Sequence, residues 1–191
     1  MKLLCYGDSN TFGYDPRSVF GCRYDKENRW TDILAAQTGW EIINAGQNGR
    51  EIPRRSFELE SAKELICRHK PDLTVVMLGT NDLLQGAEPD TVASRMEAFL
   101  QQLSGPVLLI APPPLQRGAW VEQEALVAFS QQLGNAYQLL AKRLNIPFAD
   151  TAGWGVKLTF DGVHFSENGH HTFAQKILGE LIQRKEQNLC G

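Results

Sequence analysis

A change of hydrophobic period, repeated from one end of this chain to the other, limits what it can fold into. Short apolar runs of strand length stand at residues 3–6, 40–44, 73–78, 107–110 and 146–149. Between them, apolar residues return every third or fourth position, the period of a half-buried helix. Trp30, Ile33 and Leu34 mark such a stretch over residues 28–38, closed by Gly39. Phe57, Leu59, Ala62, Leu65 and Ile66 mark the next, which runs from beyond Pro53 to His69 and is stopped by Pro71. A third, over residues 89–103, carries Pro89 in its first turn. The fourth, over residues 122–144, lines Leu126, Phe129, Leu133, Leu140 and Leu144 along one face. In the last, Ser166 is the capping residue and Phe173, Ile177 and Leu181 repeat every fourth position. Regular alternation of strand and helix predicts an α/β fold with a parallel sheet and helical crossovers. With no internal repeat, linker or low-complexity stretch, one domain over residues 1–191 is expected, with a polar tail after Arg184 that frays.

A parallel sheet gathers the loops at the carboxyl ends of its strands, where ligands bind in open α/β sheets. Four polar segments fall there. Gly7-Asp8-Ser9 ends the first apolar run, and Asn44-Ala45-Gly46-Gln47-Asn48-Gly49-Arg50 ends the second. Gly79-Thr80-Asn81-Asp82 ends the third, and a loop with Asp161 and His164 follows the fifth. Taken alone, Ser9 reads as a turn residue bonded to its own backbone. Asp161-x-x-His164 reads as a loop hydrogen bond, Asn81 as a turn cap, and Gly49 as a source of positive φ. Taken together they have the parts of a nucleophilic site. A serine needs a base within hydrogen-bond reach, and histidine is suited to that work near neutral pH. The base needs an acceptor on its other ring nitrogen, which Asp161 could be from within the same loop. The oxyanion needs donors, for which the N–H groups of Ser9 and Gly49 and the Asn81 amide are candidates.

Other chemistries lack their signatures. There is no Gly-x-Ser-x-Gly elbow, no Gly-x-Gly-x-x-Gly and no Walker sequence. His170 and His171 are adjacent and diverge on a helix, a poor metal pair, so neither metal nor cofactor is expected. A net charge of -3 without a basic stripe argues against nucleic acid. No apolar run is long enough to span a bilayer, and Met1 leads straight into the first strand, leaving no room for a signal peptide. Cys5, Cys22, Cys67 and Cys190 have no metal-like spacing and read as reduced thiols, so a cytoplasmic location is expected.

The four segments, Gly7-Asp8-Ser9, the Asn44 to Gly49 turn, Gly79-Thr80-Asn81-Asp82 and Asp161-Gly162-Val163-His164, resemble the four sequence blocks of the GDSL or SGNH hydrolases, in the family's order and over nearly the whole chain. Arg29-Trp30, Asn48-Gly49-Arg50 and Pro112-Pro113-Pro114 look most like its bacterial arylesterase and acyltransferase branch. The resemblance implies a flavodoxin-like three-layer sandwich, with a five-stranded parallel sheet of order 2-1-3-4-5 and helices on both faces. It implies ester hydrolysis through an acyl-serine. Ser9 would be nucleophile and first oxyanion donor, Gly49 and Asn81 the other donors, His164 the base and Asp161 its partner. The chain departs from the family at Asn10, where Leu is common, and at Phe12, where that branch often has Trp.

The long loop over residues 11–26, which includes Gly13, Pro16 and Gly21, carries Phe12, Tyr14, Phe20 and Tyr24. Phe12, Tyr14, Phe20, Pro113 with its proline neighbours, Trp120 and Trp154 are expected to wall a narrow pocket for a small ester with a short acyl group. Arg50, Arg54 and Arg55 read either as an anion site or as a solvated helix start. The runner-up activities are carbohydrate O-deacetylation, then lysophospholipase or thioesterase activity. Outside catalysis, the alternative is a silent binding module on the same fold. Homo-oligomerisation is left open.

Overall fold

The computed structural model describes residues 1–18, 20 and 22–189; Gly21 and Cys190 lie outside the described residues. Five strands, β1 (Lys2–Gly7), β2 (Glu41–Gly46), β3 (Leu73–Met77), β4 (Val107–Ala111) and β5 (Phe148–Asp150), form a sheet in the order β2-β1-β3-β4-β5. All its pairings are parallel. The helices are α1 (Ser9–Phe12), α2 (Trp30–Thr38), α3 (Ser56–His69), α4 (Thr80–Leu84), α5 (Pro89–Leu100), α6 (Glu124–Leu144) and α7 (Glu167–Leu189).

The central strands are apolar on both sides because both sides are covered. Leu4 and Tyr6 of β1, Val76 of β3 and Leu109 of β4 share one core with Ala62 and Ile66 of α3, Phe99 of α5 and Tyr137 of α6. Leu3, Cys5, Val75, Met77, Leu108 and Ile110 point the other way, onto Trp30 and Leu34 of α2 and Phe173 and Ile177 of α7. Trp30 and Phe173 meet edge to face at 4.9 Å, and Phe173→Ala should cost about 3–5 kcal/mol. The result is the three-layer sandwich and strand order expected. Cys5 is buried, whereas Cys22 and Cys67 are exposed, and all three are free thiols.

The elements differ from the sequence reading mainly at their ends. β5 starts two residues late because the Ile146 N–H is bonded to Ala141, closing α6, and Pro147 has no N–H to give. The α7 helix runs on to Leu189, so the tail expected to fray after Arg184 is helical that far. Two segments read as turns are one-turn helices, α1 and α4. Asp8 caps α1 by accepting the Asn10 N–H at 2.9 Å, which starts the helix at Ser9 itself. The α1 helix lies tightly on the end of the sheet. A Cβ on Gly46 would stand 2.1 Å from the Phe12 nitrogen, so only glycine fits at that end of β2.

Candidate active site

Three of the four polar segments meet at the carboxyl edge of β1 and β3, and the loop between β5 and α7 reaches over to join them. Its Asp161 is buried and almost fully bonded. One carboxylate oxygen accepts the Thr159 hydroxyl at 2.7 Å and the N–H groups of Val163 and His164 at 2.9 and 3.0 Å. The other oxygen lies 2.6 Å from His164 Nδ1. Burial alone would raise the pKa of this carboxyl. The imidazole, the two N–H groups and the hydroxyl outweigh it and hold the pKa down to about 2. An ionised carboxylate can only accept, so Nδ1 carries a proton, and in the neutral imidazole Nε2 is left as an acceptor. Ser9 Oγ lies 3.0 Å from that Nε2. The structure therefore brings Ser9, His164 and Asp161 into one chain of hydrogen bonds.

Asn10 holds this chain in register. Its Nδ2 donates to the Val163 carbonyl at 3.1 Å and its Oδ1 accepts the Phe165 N–H at 2.8 Å, so one buried carboxamide grips the backbone on either side of His164. Its own carbonyl accepts the Trp30 indole N–H at 3.1 Å. Sequence reading noted Asn10 only as a departure from a family pattern. A polar pair separated by 153 to 155 positions leaves no local signal. Asp8 is also buried, and loss of hydration pushes its carboxyl up to about 6, against the pull of the Asn10 N–H, His164 and Arg50.

Gly49 follows β2 and Asn81 follows β3, the two strands that flank Ser9's strand. Gly49 is exposed with φ +70°, and a Cβ there would meet nothing within 4 Å. Glycine is needed for the backbone angle, and no neighbour crowds it. The Asn81 amide donates to the Arg50 carbonyl at 3.1 Å and has a second hydrogen to offer. Asp82, which sequence reading left without a role, accepts the Ile52 N–H at 2.9 Å and pairs with Arg95 at 2.8 Å. Residues 81 and 82 thus pin the loop after β2 at two points. Burial raises the Asp82 carboxyl, against those same bonds. The three arginines of that loop are engaged by the protein. Arg50 donates to the carbonyls of Gly7 and Ala45 and stacks over Tyr6, Arg54 pairs with Glu51 and Asp82, and Arg55 pairs with Glu58. This favours the structural reading of Arg50, Arg54 and Arg55 over an anion site.

Of the expected pocket walls, Tyr14 and Trp120 reach the site. The Tyr14 ring centre is 4.7 Å from that of His164, and the Trp120 ring meets the imidazole edge to face at 5.1 Å. The others need correcting. Trp154 packs on Phe173 of α7 at 5.2 Å and belongs to the core beneath the sheet. Pro113 is buried and lines a hollow of about 450 Å³ with Thr151 and Val156, which none of Ser9, Gly49, Asn81 or His164 borders. Phe20 is 91% exposed. Phe12, the last residue of α1, lies under the Arg23 guanidinium of the following loop at 4.6 Å. The neighbouring histidines diverge as a helix requires. His171 bonds Asn28 at 3.0 Å, while His170 is buried between Tyr24 and Phe165, its Nδ1 facing the Trp30 N–H at 3.4 Å. Burial, with His171, His164 and Arg29 near, pushes the His170 pKa down to about 3.

Set against known proteins, residues 5–172 match the model of the GDSL-like lipase/acylhydrolase family. An acetylxylan esterase from Xylanibacter ruminicola is 22% identical over 95% of this chain, and the chain spans 43% of that protein's length. The aryl esterase of M. smegmatis superposes with a TM-score of 0.81 at 26% identity, over 95% of this chain and 98% of that one. A carbohydrate acetylesterase from Sinorhizobium meliloti gives a TM-score of 0.78 at 27% identity, over 93% of this chain and 98% of the other.

Proposed function

The chain belongs to the GDSL-like lipase/acylhydrolase family, and from that premise we propose that it is a carboxylester hydrolase working through an acyl-serine, with Ser9, His164 and Asp161 as its triad. The observation that carries this reading is the unbroken hydrogen-bond path from Ser9 Oγ through the imidazole to Asp161. In acylation, Oγ bonds to the ester carbonyl carbon as its proton passes to His164 Nε2. The carbonyl electron pair moves onto oxygen, where the N–H groups of Ser9 and Gly49 and the Asn81 amide receive the charge. Collapse breaks the bond to the alcohol oxygen, which takes the proton from Nε2 and leaves as the alcohol. Water then repeats the sequence on the acyl-serine, giving its proton to Nε2 and releasing the carboxylic acid as Oγ is reprotonated.

Ser9 is only 6% exposed, which supports a narrow entry and a preference for short acyl groups. A long acyl groove would gain about 0.8 kcal/mol for every methylene it buried. The test is kcat/KM across p-nitrophenyl esters from acetate to palmitate, beside fluorophosphonate labelling of wild type and Ser9→Ala. Expected are a maximum between acetate and butyrate and loss of both labelling and turnover in the variant. A folded Ser9→Ala protein with normal turnover would remove the nucleophile assignment, and a maximum at octanoate or beyond would remove the short-acyl reading. A second reading, O-deacetylation of a carbohydrate, uses the same acyl chemistry with a sugar as the alcohol. It is favoured by the likeness to the carbohydrate acetylesterase.

A further inference from the structure

Trp120 combines two properties that seldom coincide. It is 55% exposed, as a surface tryptophan with no partner would be, yet its ring touches an imidazole that is itself buried. Its backbone is fixed. Gly118 and Val121 pair across a tight turn, with the two N–H to carbonyl bonds at 3.2 and 3.1 Å. Val121 is buried against Leu115 and Val163. The turn is bonded to the His164 loop through Gln116 N–H to Gly162, Ala119 N–H to Phe160 and Trp120 N–H to Asp161, all at 3.0 Å. The two loops lie closer than side chains allow. A Cβ on Gly118 would stand 2.5 Å from the Asp161 carbonyl carbon, and one on Gly162 would stand 2.0 Å from the Gln116 oxygen. Trp120 is thus a large apolar surface held rigidly beside the base, with half of it facing outward. Tyr14 provides a second ring against the same imidazole.

The reaction's geometry says which half of an ester meets these rings. His164 Nε2 must hand its proton to the alcohol oxygen, so that oxygen lies within hydrogen-bond reach of Nε2 at the moment of cleavage. The alcohol therefore leaves past whatever covers the imidazole. The acyl carbonyl oxygen turns the other way, toward Gly49 and Asn81. Resting on the acyl-serine reading above, we propose that Trp120, with Tyr14, is the alcohol-side specificity wall, and that it selects esters whose alcohol carries a ring with an apolar face. A flat, fixed indole gains most from a flat partner, through stacking area and at little cost in side-chain freedom. A short flexible alcohol covers little of it.

The experiment compares ratios within each protein, so that the fraction of correctly folded enzyme cancels. Measured are kcat/KM values for ethyl acetate, benzyl acetate, benzyl butyrate and a monoacetylated methyl glycoside, in wild type, Trp120→Ala and Trp120→Phe. In Trp120→Ala the benzyl-to-ethyl ratio should fall about three- to tenfold, with Trp120→Phe retaining most of it, while the acetate-to-butyrate ratio of the benzyl esters keeps its wild-type value. A parallel fall in the glycoside-to-ethyl ratio assigns the wall to sugar rings as well; a glycoside ratio that stays put confines it to aromatic ones. An unchanged benzyl-to-ethyl ratio overturns the proposal, and so does a change confined to the acyl ratio. Failure of the underlying reading looks different: wild type would cleave none of the four esters and take no fluorophosphonate label.

Discussion

On one side of the site, Ser9, His164 and Asp161 are buried and bonded to one another, and the Asp161 carboxylate accepts from four groups. On the other, Gly49 is exposed and Asn81 gives one amide hydrogen to Arg50 with another in hand. The contrast fits the roles proposed for the two sides. A proton path runs between protein atoms, so it can be completed before any substrate arrives. An oxyanion hole has the substrate as its missing partner, so its donors must be left open while their backbone is tied down. Asp82 and Asn81 do that tying, through Ile52 and Arg50. The interior side should therefore fail through lost alignment, and the open side through lost charge stabilisation, with distinct kinetic signatures.

The largest effect should come from the interior side. Asp161→Asn exchanges a carboxylate for a carboxamide that can donate to Nδ1, which would leave Nε2 protonated and unable to receive the serine proton. A fall in kcat of about 10⁴ is expected. Because Asp161 is held down to about 2, it stays ionised through the mildly acidic range, so any wild-type activity limb found there belongs to the titration of another group. A pH–rate profile that follows a single ionisation near 2 would assign the limb to Asp161 instead. On the open side, Asn81→Ala should lower kcat by about 10²–10³ with a much smaller change in KM. If KM alone rose, the Asn81 amide would be binding ground-state substrate and the division drawn here would break.

Asn10→Leu tests the interior side without touching a reacting atom. Loss of the grip on Val163 and Phe165 should let the His164 loop drift, and kcat should fall by roughly 10- to 100-fold, since small misplacements in a reactive pair are costly. Asn10→Asp keeps the acceptor for the Phe165 N–H and loses the donor to Val163, so it should recover part of that loss. A purely structural role would show as a lower melting temperature with kcat intact. The smallest effect concerns acid stability. His170 has a pKa of about 3 in the fold against an ordinary 6.5. Between those values the unfolded chain binds a proton that the folded one refuses, so the stability tied to this residue is whole above about 6.5 and drains away as the pH falls toward 3. His170→Phe should lose less stability than wild type between neutrality and about pH 4 in urea unfolding. Equal losses would mean that another group governs the acid limb.

The parts of this arrangement that were legible in the sequence are those with a local signature. Apolar runs bounded by Gly and Pro marked the strands, and a serine, an asparagine and an Asp-x-x-His at strand ends marked the site. The α1 and α4 helices were not legible, because four or five residues are too few to display a period of 3.6. Trp154 and Trp120 look alike as aromatic loop residues; only the packing sends one onto Phe173 and the other onto His164. The roles of Asn10 and Asp82 depend on partners far along the chain, and the partner is the whole of the signal. The expectation of Phe20 in a wall rests on residue type alone, which says nothing about which way a loop side chain faces.

The bond between Ser9 and His164 joins positions 155 apart. In kinetic terms it closes a loop that takes in every element of the fold between the first strand and the last helix. Contacts of this span are late and slow to form, because the chain entropy of bringing the ends together must be overcome before the contact exists. Helices and neighbouring strands can regain their spectroscopic signals during refolding while Ser9 and His164 are still apart. Recovery of fluorophosphonate reactivity would then lag behind those signals, and it would time the closure of the chain as a whole.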